Sequence, residues 1–314
     1  MRNATRTALA ALFLGVLGAA GCTQSGGTTP DPVLPRPFDG ALSYDQRERQ
    51  VLHTADERLV ADCMRRRGLS YEPQPLATGG TDPQDVNPYG LLTTTQARQD
   101  GYGITSARLA ARPLADPNRD RARDPGWSRA LLGTKSHEVR ISLPGGTEFF
   151  YNSDACVTQA RQALYGADYD RLSSKYQVLS NQVITAVRND PRYQSAQRRW
   201  AQCMRAAGVT ATSLDDPRSF VEQRLKRADS QSRQLHDVAR YELKVAGQDA
   251  DCQRTTGLPR TVAEAQAHAE TTGAGVRTTD LRRLRGLRAA AIRRATAPPT
   301  APAVREGSGR EVTG

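Results

Sequence analysis

Five cysteines, four histidines and the adjacent carboxylates Asp215 and Asp216 are side chains of this chain whose types are suited to chemistry. Cys22, Cys63, Cys156, Cys203 and Cys252 stand far apart, with no C-x-x-C knuckle of the kind that holds zinc. His53, His137, His236 and His268 are equally scattered, and His137-Glu138 lacks the second histidine of a metalloprotease helix; His137 is expected on a hairpin edge. Asp116, Asn118 and Asp120 match the first oxygens of a calcium loop. Arg121 then replaces the turn glycine, and Trp127 takes the place of the bidentate carboxylate. No G-x-S-x-G nucleophile elbow occurs. Asp215-Asp216 precede Pro217, where carboxylates serve a helix N-terminus. A glycosidase would need two carboxyls facing each other across a cleft. No catalytic residue, metal ligand or cofactor site is therefore assigned, and the chemistry left to the cysteines is covalent attachment and crosslinking.

Cys22 differs from the other four by what precedes it. Arg2 and Arg6 form a basic start, residues 7–18 are a short apolar stretch, and Ala19-Ala20-Gly21 puts small residues directly before the cysteine. The stretch falls short of the roughly 20 residues that cross a bilayer core, so 1–21 reads as a signal peptide. No paired arginines precede it, which favours the general secretory route. The small residues are similar to a bacterial lipobox. That similarity implies a diacylglyceryl group on Cys22 and lipid anchoring at the cell membrane, on its extracytoplasmic face, where two acyl chains hold stably.

With Cys22 lipidated, four cysteines remain, an even set that can pair completely in an oxidising compartment. The segments Ala61-Asp62-Cys63-Met64-Arg65-Arg66-Arg67-Gly68 and Ala201-Gln202-Cys203-Met204-Arg205-Ala206-Ala207-Gly208 share C-M-x-x-x-G at the end of an amphipathic pattern. Each is followed by an acidic start of a returning helix, Asp154-Ala155-Cys156 and Asp249-Ala250-Asp251-Cys252. Among the three connectivities open to four cysteines, this symmetry favours Cys63 with Cys156 and Cys203 with Cys252.

The elements that carry these cysteines are mostly helices. Residues 22–41, rich in Pro, Gly and Thr, read as the lipidated N-terminus and a disordered tether. A first helical unit is expected over 42–190. It opens with a helix capped by Ser43 and stopped by Gly68, passes an irregular insertion over 71–126 with short helical stretches at 95–100 and 127–132, and forms a hairpin from 138–143 and 147–151. Asp154 should cap the next helix, and an apolar stripe through Leu172, Tyr176, Leu179, Val183 and Val187 marks another. A second unit, 191–273, should hold a helix ending at Gly208 and one long helix from Pro217 to about Gly247. An arginine-rich helix is expected over 274–296 and a disordered tail over 297–314.

Of 44 basic residues only four are lysine, and 277–296 carries seven arginines against Asp280. Arg282, Arg283, Arg285, Arg293 and Arg294 fall outside the apolar arc of Leu281, Leu284, Leu287, Ala291 and Ile292, while Arg288 interrupts it. These five are candidates for contact with an anionic surface, each contributing about 1 kcal/mol near charged lipid. A net charge of +11 would ordinarily point to nucleic acid, but export removes the chain from it.

The lipobox, the paired CMxxxG helix ends, the Asn87-Pro88-Tyr89-Gly90 and Gly101-Tyr102-Gly103 turns and Ala163-Leu164-Tyr165-Gly166 together resemble a group of uncharacterised actinobacterial lipoproteins, over about residues 43–258. The resemblance implies architecture and address and brings no activity. The expected fold is mainly α: a disulfide-linked helical assembly of two related helix pairs with a small inserted β-hairpin. The expected role is a non-catalytic, surface-tethered interaction or binding module whose partners are the membrane through Cys22 and another envelope protein or an anionic wall polymer. The alternatives are an envelope hydrolase acting on wall material through the 71–126 loops, or electrostatic attachment through 277–294.

Overall fold

The C-M-x-x-x-G repeat has one structural meaning at both places. In the computed structural model, which describes residues 32–76, 86–111, 114–228, 232–273 and 275–297, α1 (Gln46–Arg66) and α7 (Pro191–Ala206) end in the same way. Gly68 and Gly208 adopt left-handed φ of 74° and 83°. The amides that follow then turn back on the methionines, Leu69 N–H to Met64 O at 3.0 Å and Val209 N–H to Met204 O at 2.9 Å. Both methionines are wholly buried.

The cysteines pair as the repeat suggested, Cys63 with Cys156 and Cys203 with Cys252, with Cα atoms 5.6 and 5.7 Å apart. Their partners are not equivalent. Cys156 opens α5 (Cys156–Tyr165), whereas Cys252 lies near the end of α9 (Ser232–Thr255). The expected helix start at Asp249 is thus corrected: the buried stripe of Val238 and Val245 continues through Cys252 in one helix, which runs past Gly247.

Further corrections are local. Asp45, not Ser43, caps α1, because Asp45 and Glu48 form a reciprocal capping box. Ala155 occupies the cap position of α5, and the Asp154 carboxylate instead accepts from Thr134 N–H at 3.0 Å and its hydroxyl at 2.8 Å. The long helix from Pro217 is divided, with α8 (Asp216–Arg227) leaving the helix at Ala228 in extended backbone before α9 begins. Two further helices had no clear sequence signal, α3 (Ile104–Ala110) and α10 (Leu258–Thr272). The other expected elements are present: α2 (Thr94–Gln99), α4 (Pro125–Leu132), α6 (Tyr169–Asn189) and α11 (Thr278–Thr296). Strands β1 (Glu138–Ser142) and β2 (Glu148–Asn152) pair antiparallel with Ile141 opposite Phe149.

Two segments expected to lie outside the core lie within it. Residues 32–41 do not trail away as tether. Phe38 is 3% exposed, meets the Tyr176 ring edge-on at 5.0 Å, and sits in a left-handed turn with Asp39 (φ 54° and 52°). The apolar ring supplies what Pro, Gly and Thr around it could not. Likewise the irregular stretch is no peripheral insertion, since Tyr89, Leu91, Leu92 and Tyr102 join the main core.

That core runs through α1, α6, α7, α9, α10 and α11, so residues of both expected helical units share it. A satellite cluster of Val60, Cys63, Met64, Trp127, Cys156 and Ala160 surrounds the first disulfide. Helix α11 is integral: Leu284 and Ala291 are fully buried, and it packs on α1, α5 and α6. Residues 1–31, which hold the expected signal peptide and Cys22, and the tail beyond Ala297 lie outside the described residues.

Candidate functional site

Helix α9 carries three buried polar side chains, Glu242, Asp249 and Gln253, on the face that also buries Val238 and Val245. Spacings of seven and four place them one above another along the helix. Buried polar groups are costly unless bonded, so their partners show what they hold.

Glu242 holds the Gly101-Tyr102-Gly103 turn. Its Oε1 accepts from the amides of Tyr102 (3.0 Å) and Ile104 (2.8 Å), and its Oε2 from the amide (2.9 Å) and hydroxyl (2.5 Å) of Thr105. Gly103, the cap position of α3, has no side chain to satisfy these amides, and the carboxylate does so from a distant helix, at the positive end of the helix dipole. The approach is close enough that a Cβ on Gly101 would stand 2.6 Å from Glu242 Cγ.

Gln253 holds the other turn. It accepts from Leu92 N–H at 3.0 Å and donates to Gly90 O at 3.1 Å and to Asp249 Oδ1 at 2.8 Å. Asn87 shapes the same turn from within, its Oδ1 accepting from Tyr89 N–H (3.0 Å) while its amide donates to Pro35 O (2.9 Å). Asp249 completes the set, receiving the Trp200 indole N–H at 2.8 Å and the Tyr102 hydroxyl at 2.9 Å. Burial pushes its carboxyl from 3.8 up to about 6, against the pull of the three donors.

Between the turns opens a cleft of about 180 Å³, walled by Gly90, Leu92, Tyr102 and Leu214 and reached by Gln96, Asp100, Asp215 and Arg218. Arg218 donates to Tyr102 O at 3.1 Å and lies 3.5 Å from Glu222. Asp215 lies 3.5 Å from Arg188. Neighbouring Asp216 accepts from Thr212 and Ser213 at the start of α8; burial would raise its carboxyl, and these donors outweigh burial and hold it at about 2. No family model matches the chain, and no curated protein or solved structure is similar to it.

The buried carboxylates behind the cleft are fully engaged by the protein's own groups. All four lone-pair directions of Glu242 are occupied, and Asp249 is fully buried behind Tyr102. The side chains that reach the opening offer an amide, carboxylates and a guanidinium. Among the described residues no group of His, Cys, Asp and Glu is placed to hold a metal ion. Asn118, from the rejected calcium loop, is buried and bridges Glu72 through its amide group. His137 stands just before β1 with its Nδ1 3.4 Å from Asp154.

Of the six arginines of α11, the five candidates for surface contact have divided fates. Arg283 pairs with Asp168. Arg285 donates to Phe38 O and to Asp39, both at 2.9 Å, and Arg294 to Leu164 O at 2.7 Å. Arg282 and Arg293 are exposed. The most engaged is Arg288, which pairs with Glu48 at 2.6 Å and covers the Tyr44 ring at 4.1 Å. Sequence reasoning passed over Glu242, Asp249 and Gln253. Their signal was available: polar residues at helical spacing on the same face as Val238, Val245 and Cys252.

Proposed function

We propose that this chain is a non-catalytic binding module of the bacterial cell envelope, held on the outer face of the membrane by lipid on Cys22, with the cleft between the two turn motifs as its binding site. One observation carries the proposal. Two turns only eleven residues apart in sequence are fixed from behind by three buried side chains of one helix far along the chain, so the cleft is formed before any ligand arrives. Preorganisation of this kind lowers the cost of binding, and placing polar groups around a small concave site gives specificity. Glu242 fixes backbone and Asp249 fixes the side chains of Trp200, Tyr102 and Gln253, and neither is free to take a proton from a substrate.

Screening small polar compounds from envelope extracts by thermal shift tests the site. A ligand should raise the Tm of the full chain and leave that of Gln96→Trp, which fills the mouth from an exposed position, unchanged. Chemical turnover of the bound compound would overturn the non-catalytic assignment. The anchor is tested separately: Cys22→Ser should lose incorporated radioactive palmitate and leave the membrane fraction, and retention of both would remove it.

A further inference from the structure

The cleft does not stand alone. A second depression of about 270 Å³ shares Val86 with it, and a third of about 370 Å³ shares Leu42 and Gln177 with the second. Together they form one run. One wall is α6, where Ser173, Gln177, Ser180 and Ile184 recur at helical spacing over eleven residues, about 16 Å at 1.5 Å per residue. The other wall is the strap 36–44, which includes the left-handed turn at Phe38 and Asp39.

Such backbone is disfavoured for residues other than glycine and persists only where its surroundings impose it. Here they do. The Phe38 amide donates to Glu270 at 2.7 Å, and Arg285 and Arg288 grip the carbonyls of Phe38, Gly40 and Ala41. Strain held at the wall of a groove is a mark of a site that must keep its shape.

The chemistry of the walls selects an occupant. Most cations along the run are engaged: Arg161 pairs with Asp170 and Arg218 with Glu222, Arg36 donates to Val86 O, and the carboxylates Asp215, paired with Arg188, and Asp100 add negative charge. An anionic polymer would need cations left unmatched. An extended peptide would need a free row of backbone groups, but the strap carbonyls are taken from its other side, Arg36 O by Gln266 included. What the groove offers instead is hydroxyls and amides, with Tyr44 and Tyr169 at one end joined hydroxyl to hydroxyl at 2.5 Å.

We propose that the three depressions form one groove that holds a linear, uncharged glycan bearing hydroxyl and amide groups. The proposal rests on the binding-module assignment and extends it from a small ligand to a chain. The probe is a series of linear N-acetylglucosamine oligomers of two to six units, titrated into the full chain at low and high salt. Affinity should rise at least about tenfold from dimer to tetramer, as further units engage intramolecularly, and change little with salt. Gln177→Trp and Ser174→Trp, both outside the core, should abolish that gain and leave dimer binding intact, with unchanged melting as the folding control. Equal affinity at all lengths, indifference to both variants, preference for polyglutamate over the oligomers, or no binding of any oligomer would each overturn the groove. If a small ligand sensitive to Gln96→Trp is still bound in such a case, the groove alone has failed. If none is, the binding-module assignment has failed with it.

Discussion

Cys63 and Cys203 end their helices in the same six-residue phrase, yet the two disulfides hold different things. The first joins α1 to the opening turn of α5 and is enclosed by a small cluster with Trp127, whose indole donates to Ser70 O at 2.8 Å and stacks on Tyr71. The second joins α7 to the far end of α9 at the edge of the main core, with Cys252 buried in it and Cys203 half-buried against it, one helical turn from Trp200 and the buried carboxylate it bonds. Local sequence repeats set the helix ends, and tertiary context sets what each bond is for. The first crosslink substitutes for a core too small to hold itself; the second reinforces one already built.

The largest effect expected from this contrast is loss of the first bond. In the chain-entropy model, closing 93 residues contributes roughly 4 to 5 kcal/mol and closing 49 residues about 4. The difference lies in cooperativity. The chain has two tryptophans, one in each region, so their fluorescence separates the two. Removing Cys63 and Cys156 together should make Trp127 unfold at lower denaturant than Trp200, whereas removing Cys203 and Cys252 should leave one coincident transition. Coincidence in both variants would erase the distinction.

Next in size is Trp200→Phe, which leaves a fully buried carboxylate short of one donor and should cost about 1–3 kcal/mol beyond the lost packing. Trp127→Phe strands only a half-buried carbonyl and should cost less. Denaturant midpoints of the two variants decide the order.

The two regions should also respond to pH with opposite sign. Asp249 binds its proton more tightly folded than unfolded, so stability is highest below about 4 and falls as pH rises to about 6. Asp249→Asn should flatten that slope, of the order of 1–3 kcal/mol in full. Near the first disulfide, the Thr134 amide holds the Asp154 carboxyl below its ordinary range, so its contribution is present above about 4 and lost as pH falls further. Urea midpoints from pH 3 to 7 for wild type, Asp249→Asn and Asp154→Asn read both signs.

The smallest effect belongs to Arg282→Glu combined with Arg293→Glu, exposed positions expected to change stability by no more than about 0.5 kcal/mol. Binding of wild type to phosphatidylglycerol vesicles, if present and abolished in the same variant, would identify α11 as an attachment surface. Truncation before α11 cannot serve for this, because Leu284 and Ala291 are core residues.

Much of this fold was legible in the sequence where one local rule governs one element. The helices stopped by Gly68 and Gly208, the Pro144-Gly145-Gly146 hairpin and the stripe from Leu172 to Val187 fall where periodicity and turn chemistry put them, while Gly247 stops nothing. Legibility failed where distant residues decide. Phe38 looked like part of a proline-rich tether because its partners Tyr176, Glu270 and Arg285 lie far along the chain. Helix α3 was hidden because its N-terminus is satisfied by Glu242 instead of a neighbouring cap. The cleft itself was half visible: both turn motifs stood out, but not the helix that holds them together.

The most direct measurement is hydroxyl-radical footprinting of the full chain with and without saturating N-acetylglucosamine hexamer, with the hexamer recovered and weighed by mass spectrometry. The account predicts protection of Leu42, Tyr44 and Ile184 along the groove and of Leu92 at the cleft, no change at Leu281 or Leu287 on α11, and an intact hexamer. Protection confined to α11, or a hexamer returned in pieces, would contradict it.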